Sequence, residues 1–414
     1  MITYTLNYRD TYTKSNFKRK CYGHNGLICY EKGYVCFDDE NTSLYRSVIV
    51  NPDKHQVCCL SPPKSVSMDH FLRDTRNVCT NTIPDDVTVN EIIEGSMINL
   101  WYDHTIQSWE ISTKTSIGGD YVYYRSSLSD GADTEPDKGA MDETGFIGEK
   151  TFRQMFLEAI TTPPHIENVH GNAVLPDLNN LLSGWSKNHS YSFVLQHPQN
   201  KLVLQVNQPR LYLIAVYELE GINVKVIPSN LYRWWDCLNQ PWIFYPPTFS
   251  CTGLKYSELI RTYSTIQGST DIVGVMCTNS VTGMRTKIIN TVYIELKEIR
   301  GMNTNLLYLF LTLHYMDKID NYLNIFPWYT NVFSKYRIML QKWVDNILIS
   351  YKSRYVKRTG EIISHRYMPH VYKLHHSIYL PSVTTGTKCV ITKKIIQNYL
   401  YQLTPTELFH TIFV

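Results

Sequence analysis

The sequence has no long apolar run, and this absence bounds what the protein can be. No stretch of about 18 apolar residues occurs in the 414-residue chain, so we expect no transmembrane helix. Residues 1–20 are polar and contain no apolar segment of the kind that a secretory signal carries. The sequence therefore predicts a cytoplasmic protein without a membrane partner.

Cysteine pairs with the spacing of metal ligands are also missing. The ten cysteines include no C-x-x-C pair, and Cys58 is directly followed by Cys59, which suits neither a disulfide framework nor a zinc knuckle. We interpret the cysteines as reduced and mostly buried thiols, because free cysteine packs as a small hydrophobic residue. The alternative is a metal site formed by four side chains near the N-terminus: Cys21, His24, Cys29 and Cys36.

Alanine is scarce, whereas tyrosine, asparagine and isoleucine are abundant. This bias is typical of an AT-rich genome and fits a large DNA virus. There is no internal repeat and no low-complexity tract. Hydrophobic residues make up 43% of the chain, which is enough for a packed core and excludes a disordered protein.

The small net charge of +3 is unevenly distributed. Residues 281–414 contain 17 lysines and arginines against 7 aspartates and glutamates, so the rest of the chain is mildly acidic. A basic region joined to an acidic one is typical of polyanion binding. Four cations interleaved with tyrosine are the predicted nucleic-acid-binding residues: Lys352, Arg354, Lys357 and Arg358. The alternative is an ordinary solvated helix face.

The spacing of apolar residues divides the chain near residue 300. Residues 1–300 favour short strands: Gly33–Phe37, Tyr45–Val50, Met97–Tyr102, Trp109–Ser112, Ser192–Leu195, Lys201–Val206, Leu211–Glu218 and Val273–Cys277. A single helix is predicted among them, at Glu149–Ile160, after a polar segment at Ser129–Gly148 that reads as a mobile loop.

Residues 301–414 have helical spacing instead. The predicted helices are Leu306–Leu313, Tyr322–Phe326, Phe333–Ser350 and Lys388–Leu403. We therefore expect an α+β domain over residues 1–300 and an all-α basic domain over residues 301–414. Four histidines of the second domain have spacings unlike a metal pair and read as surface or packing residues: His365, His370, His375 and His376.

Several segments, in order, resemble the adenylation domain of RNA ligases of the T-even phage type. They are Tyr45-Arg46-Ser47, Ser61-Pro-Pro-Lys64-Ser65, Glu94-Gly95-Ser96, Trp109 to Lys114, Thr151 to Phe156, Tyr191 to Val203, Leu211 to Val216, Val273-Gly274 and Arg285-Thr-Lys287. The resemblance implies a covalent nucleotidyltransferase fold with antiparallel sheets similar to those of ATP-grasp proteins. Helical C-terminal domains that help grip RNA follow the adenylation domain in this ligase type.

The resemblance also implies what the site needs. In the family a lysine amine attacks the α-phosphate of ATP to form lysyl-AMP, and carboxylates on the central strands hold a divalent metal and the ribose. Basic residues on the closing strand neutralise phosphate charge. The adenylate then passes to an RNA 5′-phosphate.

This sequence departs from that pattern at three positions. Ile92 occupies the nucleophile position, Gln196 stands for the first central carboxylate and Val273 for the second. No lysine occurs between Lys64 and Lys114, so those two are the candidates for a displaced nucleophile. The predicted nucleotide-binding residues are the retained Glu94, Gly95, Lys114, Arg285 and Lys287, together with the substituted Gln196.

Three hypotheses follow. The first is an RNA ligase-like pseudoenzyme that binds RNA or another polyanion and requires no cofactor. The second is an active ligase with a displaced lysine, which would use ATP and Mg²⁺. The third is a virion structural or assembly protein on a ligase-derived fold, with other viral proteins as partners. The expected location is the host cytoplasm or viral factory, with the virion as the alternative under the third hypothesis.

Overall fold

A computed structural model describes residues 2–31, 40–74, 82–122, 150–161, 177–251, 253–264, 272–301, 303–387 and 389–413. The chain divides into two units, the first comprising residues 1–123 and 150–300 and the second including residues 301–414. The predicted strand Gly33–Phe37 and the predicted loop Ser129–Gly148 lie outside the described residues.

Strands occur in the first unit only, as far as the described residues go. They are β1 (Thr3–Thr5), β2 (Phe17–Tyr22), β3 (Asn25–Tyr30), β4 (Val48–Asn51), β5 (Gln56–Leu60), β6 (Val87–Glu91), β7 (Ser96–Asp103), β8 (Ser108–Ser112), β9 (His189–Gln196), β10 (Arg210–Glu220), β11 (Asn223–Ile227), β12 (Ile243–Phe244), β13 (Thr248–Phe249), β14 (Gly274–Asn279) and β15 (Arg285–Ile289).

These strands form three sheets. The central sheet has the order β1-β11-β10-β9-β7-β8, with β12 added parallel to β10. The amino-terminal sheet has the order β2-β3-β4-β5, and the closing sheet has the order β13-β6-β14-β15. Every pairing between these strands except β10–β12 is antiparallel. The expected α+β class with antiparallel sheets is confirmed.

Helices flank the sheets of the first unit and make up the second. They are α1 (Glu40–Leu44), α2 (Met68–Asp74), α3 (Phe152–Thr161), α4 (Leu178–Leu181), α5 (Ser229–Tyr232), α6 (Tyr256–Ser264), α7 (Thr291–Arg300), α8 (Leu306–Tyr315), α9 (Ile319–Ile325), α10 (Thr330–Tyr351), α11 (Met368–Leu374), α12 (Leu380–Thr384), α13 (Lys393–Tyr401) and α14 (Pro405–Phe413). Within the described part of the chain, no helix is long and apolar enough to cross a membrane.

The core of the first unit lies between α3 and the central sheet. The predicted apolar face of this helix is confirmed, because Phe152, Met155, Phe156 and Ile160 are all buried. Phe156 packs edge-on against Phe193 of β9, with ring centroids 6.1 Å apart. Burial of side chains at i, i+3, i+4 and i+8 is what holds a ten-residue helix that would be marginal in isolation.

The second unit has an aromatic core of its own. Phe310 of α8 lies 5.3 Å from Phe333 and 5.5 Å from Tyr336 of α10, measured between ring centroids. Ring pairs in this range add to the free energy gained by burying the same apolar area. The helical character predicted for the described residues after 301 is confirmed.

Some predicted elements are wrong. Lys201–Val206 is irregular rather than a strand, because the backbone N–H groups of Val203 and Leu204 donate to the buried carboxylate of Glu94 and pair with no strand. The described part of the predicted helix Lys388–Leu403 is helical only from Lys393. The structure also forms helices where none was predicted, at α1, α2, α4, α5, α6, α7, α11, α12 and α14.

Gly274 is required where β14 meets β15. A Cβ atom built on it would lie 2.1 Å from the carbonyl oxygen of Ile288, and its φ of +141° is rare for other residues. We expect Gly274→Ala to lower the free energy of unfolding by about 3 kcal/mol. Gly184→Ala is the matched control, since nothing lies within 4 Å of that Cβ position. Chemical denaturation measures both, and equal stabilities would contradict the prediction.

Candidate functional site

The closing sheet brings together Ile92 and Val273, the two positions that the resemblance assigns to the nucleophile and to the second carboxylate. The N–H of Ile92, one residue beyond β6, donates to the carbonyl of Gly274 at 2.9 Å. Val273 immediately precedes that glycine and is 5% exposed. Both side chains are apolar, so neither supplies the amine or the carboxylate that the resemblance implies at these positions.

The register of the closing sheet decides which side chains share the pocket face. Met276 pairs with Lys287, and Thr278 pairs with Arg285. Val275 and Cys277, which alternate with them, are buried in the core beneath the sheet. Because successive side chains of a strand point to opposite faces, Arg285 and Lys287 lie on the face opposite this core.

Arg46, Arg285, Lys287 and Lys297 form what we call the cation cluster. Burial lowers the pKa of Arg46 and of Arg285, and Arg46 lowers the pKa of Arg285 further. Burial also lowers the pKa of Lys287, and so do Lys297 and Arg46. Arg46 therefore lies within electrostatic reach of Arg285 and of Lys287, and Lys297 lies within reach of Lys287, although Arg46 is far from the other three in the sequence.

No member of the cation cluster pairs with a carboxylate among the described residues. The groups that favour the charged arginines are phenols instead: Tyr30 and Tyr217 for Arg46, with Tyr217, Tyr4 and Tyr232 for Arg285. Arg46 and Arg285 are half-buried and Lys287 and Lys297 are exposed, and cations without an ion-paired carboxylate are suited to an anion such as a phosphate group. They do not suit a divalent metal.

The candidates for a displaced nucleophile lie beside this cluster. Two residues after Lys64, the N–H of Val66 donates to the carbonyl of Arg285 at 2.8 Å, so the segment that contains Lys64 meets β15. The amine of Lys114 lies over the ring of Tyr30, 4.4 Å from the centroid. Lys287 is a third candidate, because its lowered pKa increases the deprotonated fraction of the amine that a nucleophile needs.

Glu94 is engaged by the protein itself. Its carboxylate accepts hydrogen bonds from the N–H of Val203 at 3.0 Å, the N–H of Leu204 at 2.7 Å and the hydroxyl of Tyr293 at 2.7 Å. Burial nevertheless raises its pKa, despite the opposing effect of these three bonds. The carboxylate thus ties α7 and the segment after β9 to the start of β7.

Gly95 and Gln196 also hold the start of β7 against β9. A Cβ atom on Gly95 would lie 2.4 Å from the carbonyl oxygen of Leu195, so only glycine allows β7 to approach β9 this closely. The side-chain amide of Gln196 donates to the carbonyl of Glu94 at 2.9 Å. Gln196 also lines a cleft of about 290 Å³ with Gln205, Val206, Asn207, Gln208 and Arg210.

The residues of the alternative metal site near the N-terminus, as far as they are described, have different surroundings. His24 pairs with Asp103 at 2.8 Å, Cys21 is exposed, and Cys29 is buried with a raised pKa. Cys36 lies outside the described residues. In the described ranges no group of three or more His, Cys, Asp or Glu side chains could hold a metal ion.

Sequence reasoning missed Lys297. It lies on α7 one turn after Tyr293, with its amine 5.9 Å from the centre of that ring. The spacing of four residues between Tyr293 and Lys297 indicates that their side chains are neighbours on a helix. It does not indicate that Lys287 lies nearby. Only the packing of α7 against the sheets brings the two lysines together.

The predicted nucleic-acid-binding residues lie together in the second unit. Lys352, Arg354 and Lys357 belong to a π-helical segment, Lys352–Lys357, that continues α10, and Arg358 ends it. All four side chains are exposed. None forms an ion pair with a described carboxylate, so their charge is available to a ligand.

Comparisons with known proteins find structural similarity without sequence similarity. No protein-family model matches the chain, and no curated protein sequence matches it. An archaeal ATP-dependent RNA ligase is 11% identical with a TM-score of 0.41, covering 95% of each chain. A putative ATP-dependent DNA ligase from Aquifex aeolicus is 8% identical with a TM-score of 0.38, over 90% of this chain and 80% of that one. A Naegleria gruberi RNA ligase with PPi is 9% identical with a TM-score of 0.35, and the chain spans 58% of its length.

Proposed function

We propose that this protein is an RNA ligase-like pseudoenzyme that binds RNA or another polyanion. One observation carries the proposal: Ile92 is hydrogen-bonded to Gly274, directly after Val273, in the same sheet whose strand β15 carries Arg285 and Lys287. The cations are kept there, whereas the positions of the nucleophile and of the second carboxylate are apolar. Binding needs only the cations, whereas adenylate transfer needs the lysine and carboxylates as well.

The lost groups matter more than the retained ones for catalysis. Removing a covalent nucleophile typically lowers the rate by about a million-fold. Gln196 carries no charge and donates its amide to a carbonyl, so it is a poor metal ligand. Glu94 is already satisfied by three donors of the protein. The cation cluster, by contrast, fits a phosphate group in charge and position.

An active ligase with a displaced lysine is the second candidate, favoured by the lowered pKa of Lys287. Lys64 and Lys114 are the other lysines that could supply the amine. In that case ATP and Mg²⁺ would be required, although the pocket face presents no carboxylate at positions 196 and 273. The proposed location is the cytoplasm of a host cell or a viral factory.

Self-adenylylation separates the two candidates. The full chain is incubated with α-labelled ATP and Mg²⁺ or Mn²⁺, then run on a denaturing gel beside an active ATP-dependent RNA ligase. We expect no label on this protein, because no lysine stands at position 92. The variants Lys64→Ala, Lys114→Ala and Lys287→Ala are run in parallel, with Lys255→Ala as an exposed control.

A label that persists in denaturant and disappears in one of the three variants would overturn the pseudoenzyme proposal and identify the nucleophile. The same preparation is tested for RNA binding by fluorescence anisotropy. Binding without labelling supports the proposal, and absence of both contradicts it.

A further inference from the structure

Two π-helical segments lie side by side in the second unit. The first is Lys352–Lys357, which follows α10, and the second is His375–Tyr379, which lies between α11 and α12. Tyr355 of the first stacks on His375 of the second, with ring centroids 3.6 Å apart and planes 4° from parallel. Such wide turns are rare and frequently occur at functional sites.

The stack extends into what we call the aromatic ladder, formed by Tyr355, His375, Tyr379, Tyr372 and His376. His375 also stacks on Tyr379 at 5.1 Å, and its Nδ1 lies 3.2 Å from the hydroxyl of Tyr351. Burial and His376 lower the pKa of His375, so this ring is largely neutral at pH 7 and stacks as an aromatic group.

The exposed part of the ladder is a tyrosine–histidine pair. Tyr372 and His376 lie one turn apart with ring centroids 3.9 Å from each other. Tyr372 is 56% exposed, and His376 is exposed as well. Exposed ring faces held in register by their neighbours form a surface on which a flat ligand stacks.

Positive charge surrounds the ladder. Residues 351–380 contain six lysines and arginines but a single carboxylate, Glu361, which accepts a hydrogen bond from Ser353 at 2.8 Å. Arg358 ends the first π-helical segment in the left-handed conformation, with φ +54°, a position that usually carries glycine.

We propose that the aromatic ladder and its flanking cations form a binding site for single-stranded RNA, in which unpaired bases stack on Tyr372 and His376. This inference rests on the proposed function and adds the class of RNA. Single strands are favoured because the bases of a duplex are already stacked on each other and hide their faces. An acidic protein would need the cations but not the ring faces.

The test compares three ligands with equal numbers of phosphates: a single-stranded RNA, an RNA duplex of half its length and an abasic oligomer. We expect the single strand to bind most tightly. Tyr372→Ala and His376→Ala should each weaken its binding by about tenfold. Both should leave binding of the abasic oligomer unchanged, and Tyr372→Phe should bind as the unaltered protein does, because it keeps the ring. Tyr401→Ala is a matched control at another exposed tyrosine.

The proposal would be overturned if Tyr372→Ala and His376→Ala weakened binding of the abasic oligomer as much as binding of the single strand. It would also be overturned if neither variant weakened binding of the single strand. Equally tight binding of polyglutamate would show a general polyanion site and would also overturn it. If the RNAs bind and depend on the four cations but not on Tyr372, only this inference fails. If no RNA binds at all, the proposed function fails with it.

Discussion

Replacing Lys352, Arg354, Lys357 and Arg358 together with glutamate is expected to weaken single-stranded RNA binding by about a thousand-fold or more. The four side chains are exposed and have no described carboxylate partner, so phosphates are the anions they can neutralise. Each phosphate contact on a single strand releases about 0.7 counterions. The slope of log affinity against log salt concentration should therefore become shallower by about 3.

The control is a variant with the same change in net charge at scattered, exposed positions: Lys14, Lys255, Lys318 and Lys342, each replaced with glutamate. Long-range repulsion weakens binding in both variants, but only loss of direct contacts changes the slope strongly. Fluorescence anisotropy titrations at several salt concentrations measure both quantities. Equal slopes in the two variants would show that the four residues are an ordinary solvated face.

Glu94→Ala is expected to lower the free energy of unfolding by about 3–5 kcal/mol. The substitution leaves the N–H groups of Val203 and Leu204 and the hydroxyl of Tyr293 without their acceptor in a buried site. Those donors lie in an irregular segment and in α7, so the loss should loosen both. Glu94 would then contribute mainly to the stability of the first unit, although the resemblance places it in the nucleotide pocket.

Glu91→Ala is the matched control. This carboxyl lies three residues earlier, burial raises its pKa, and it accepts no hydrogen bond from the described residues. Its removal should change stability by less than about 1 kcal/mol. Denaturant titrations followed by the fluorescence of buried tryptophans, such as Trp101 and Trp109, report on the first unit. Similar losses in both variants would contradict the structural role of Glu94.

The strands and helices that sequence reasoning predicted correctly have strong local patterns. Met97–Tyr102 and Leu211–Glu218 lie within β7 and β10, and Glu149–Ile160 contains most of α3. Lys201–Val206 was predicted wrongly because a short run rich in leucine and valine looks the same in a strand and in a segment whose N–H groups bind a carboxylate. Local periodicity does not show where backbone hydrogen bonds go.

The sequence by itself determined the α+β class, the change to helices near residue 300 and the absence of lysine at position 92, because each depends on residue types and short spacings. The tertiary structure alone decided that Arg46 and Lys297 lie within electrostatic reach of Lys287. It also decided that Tyr355 stacks on His375. These contacts join residues that are far apart in the chain, and only strand register and helix packing bring them together.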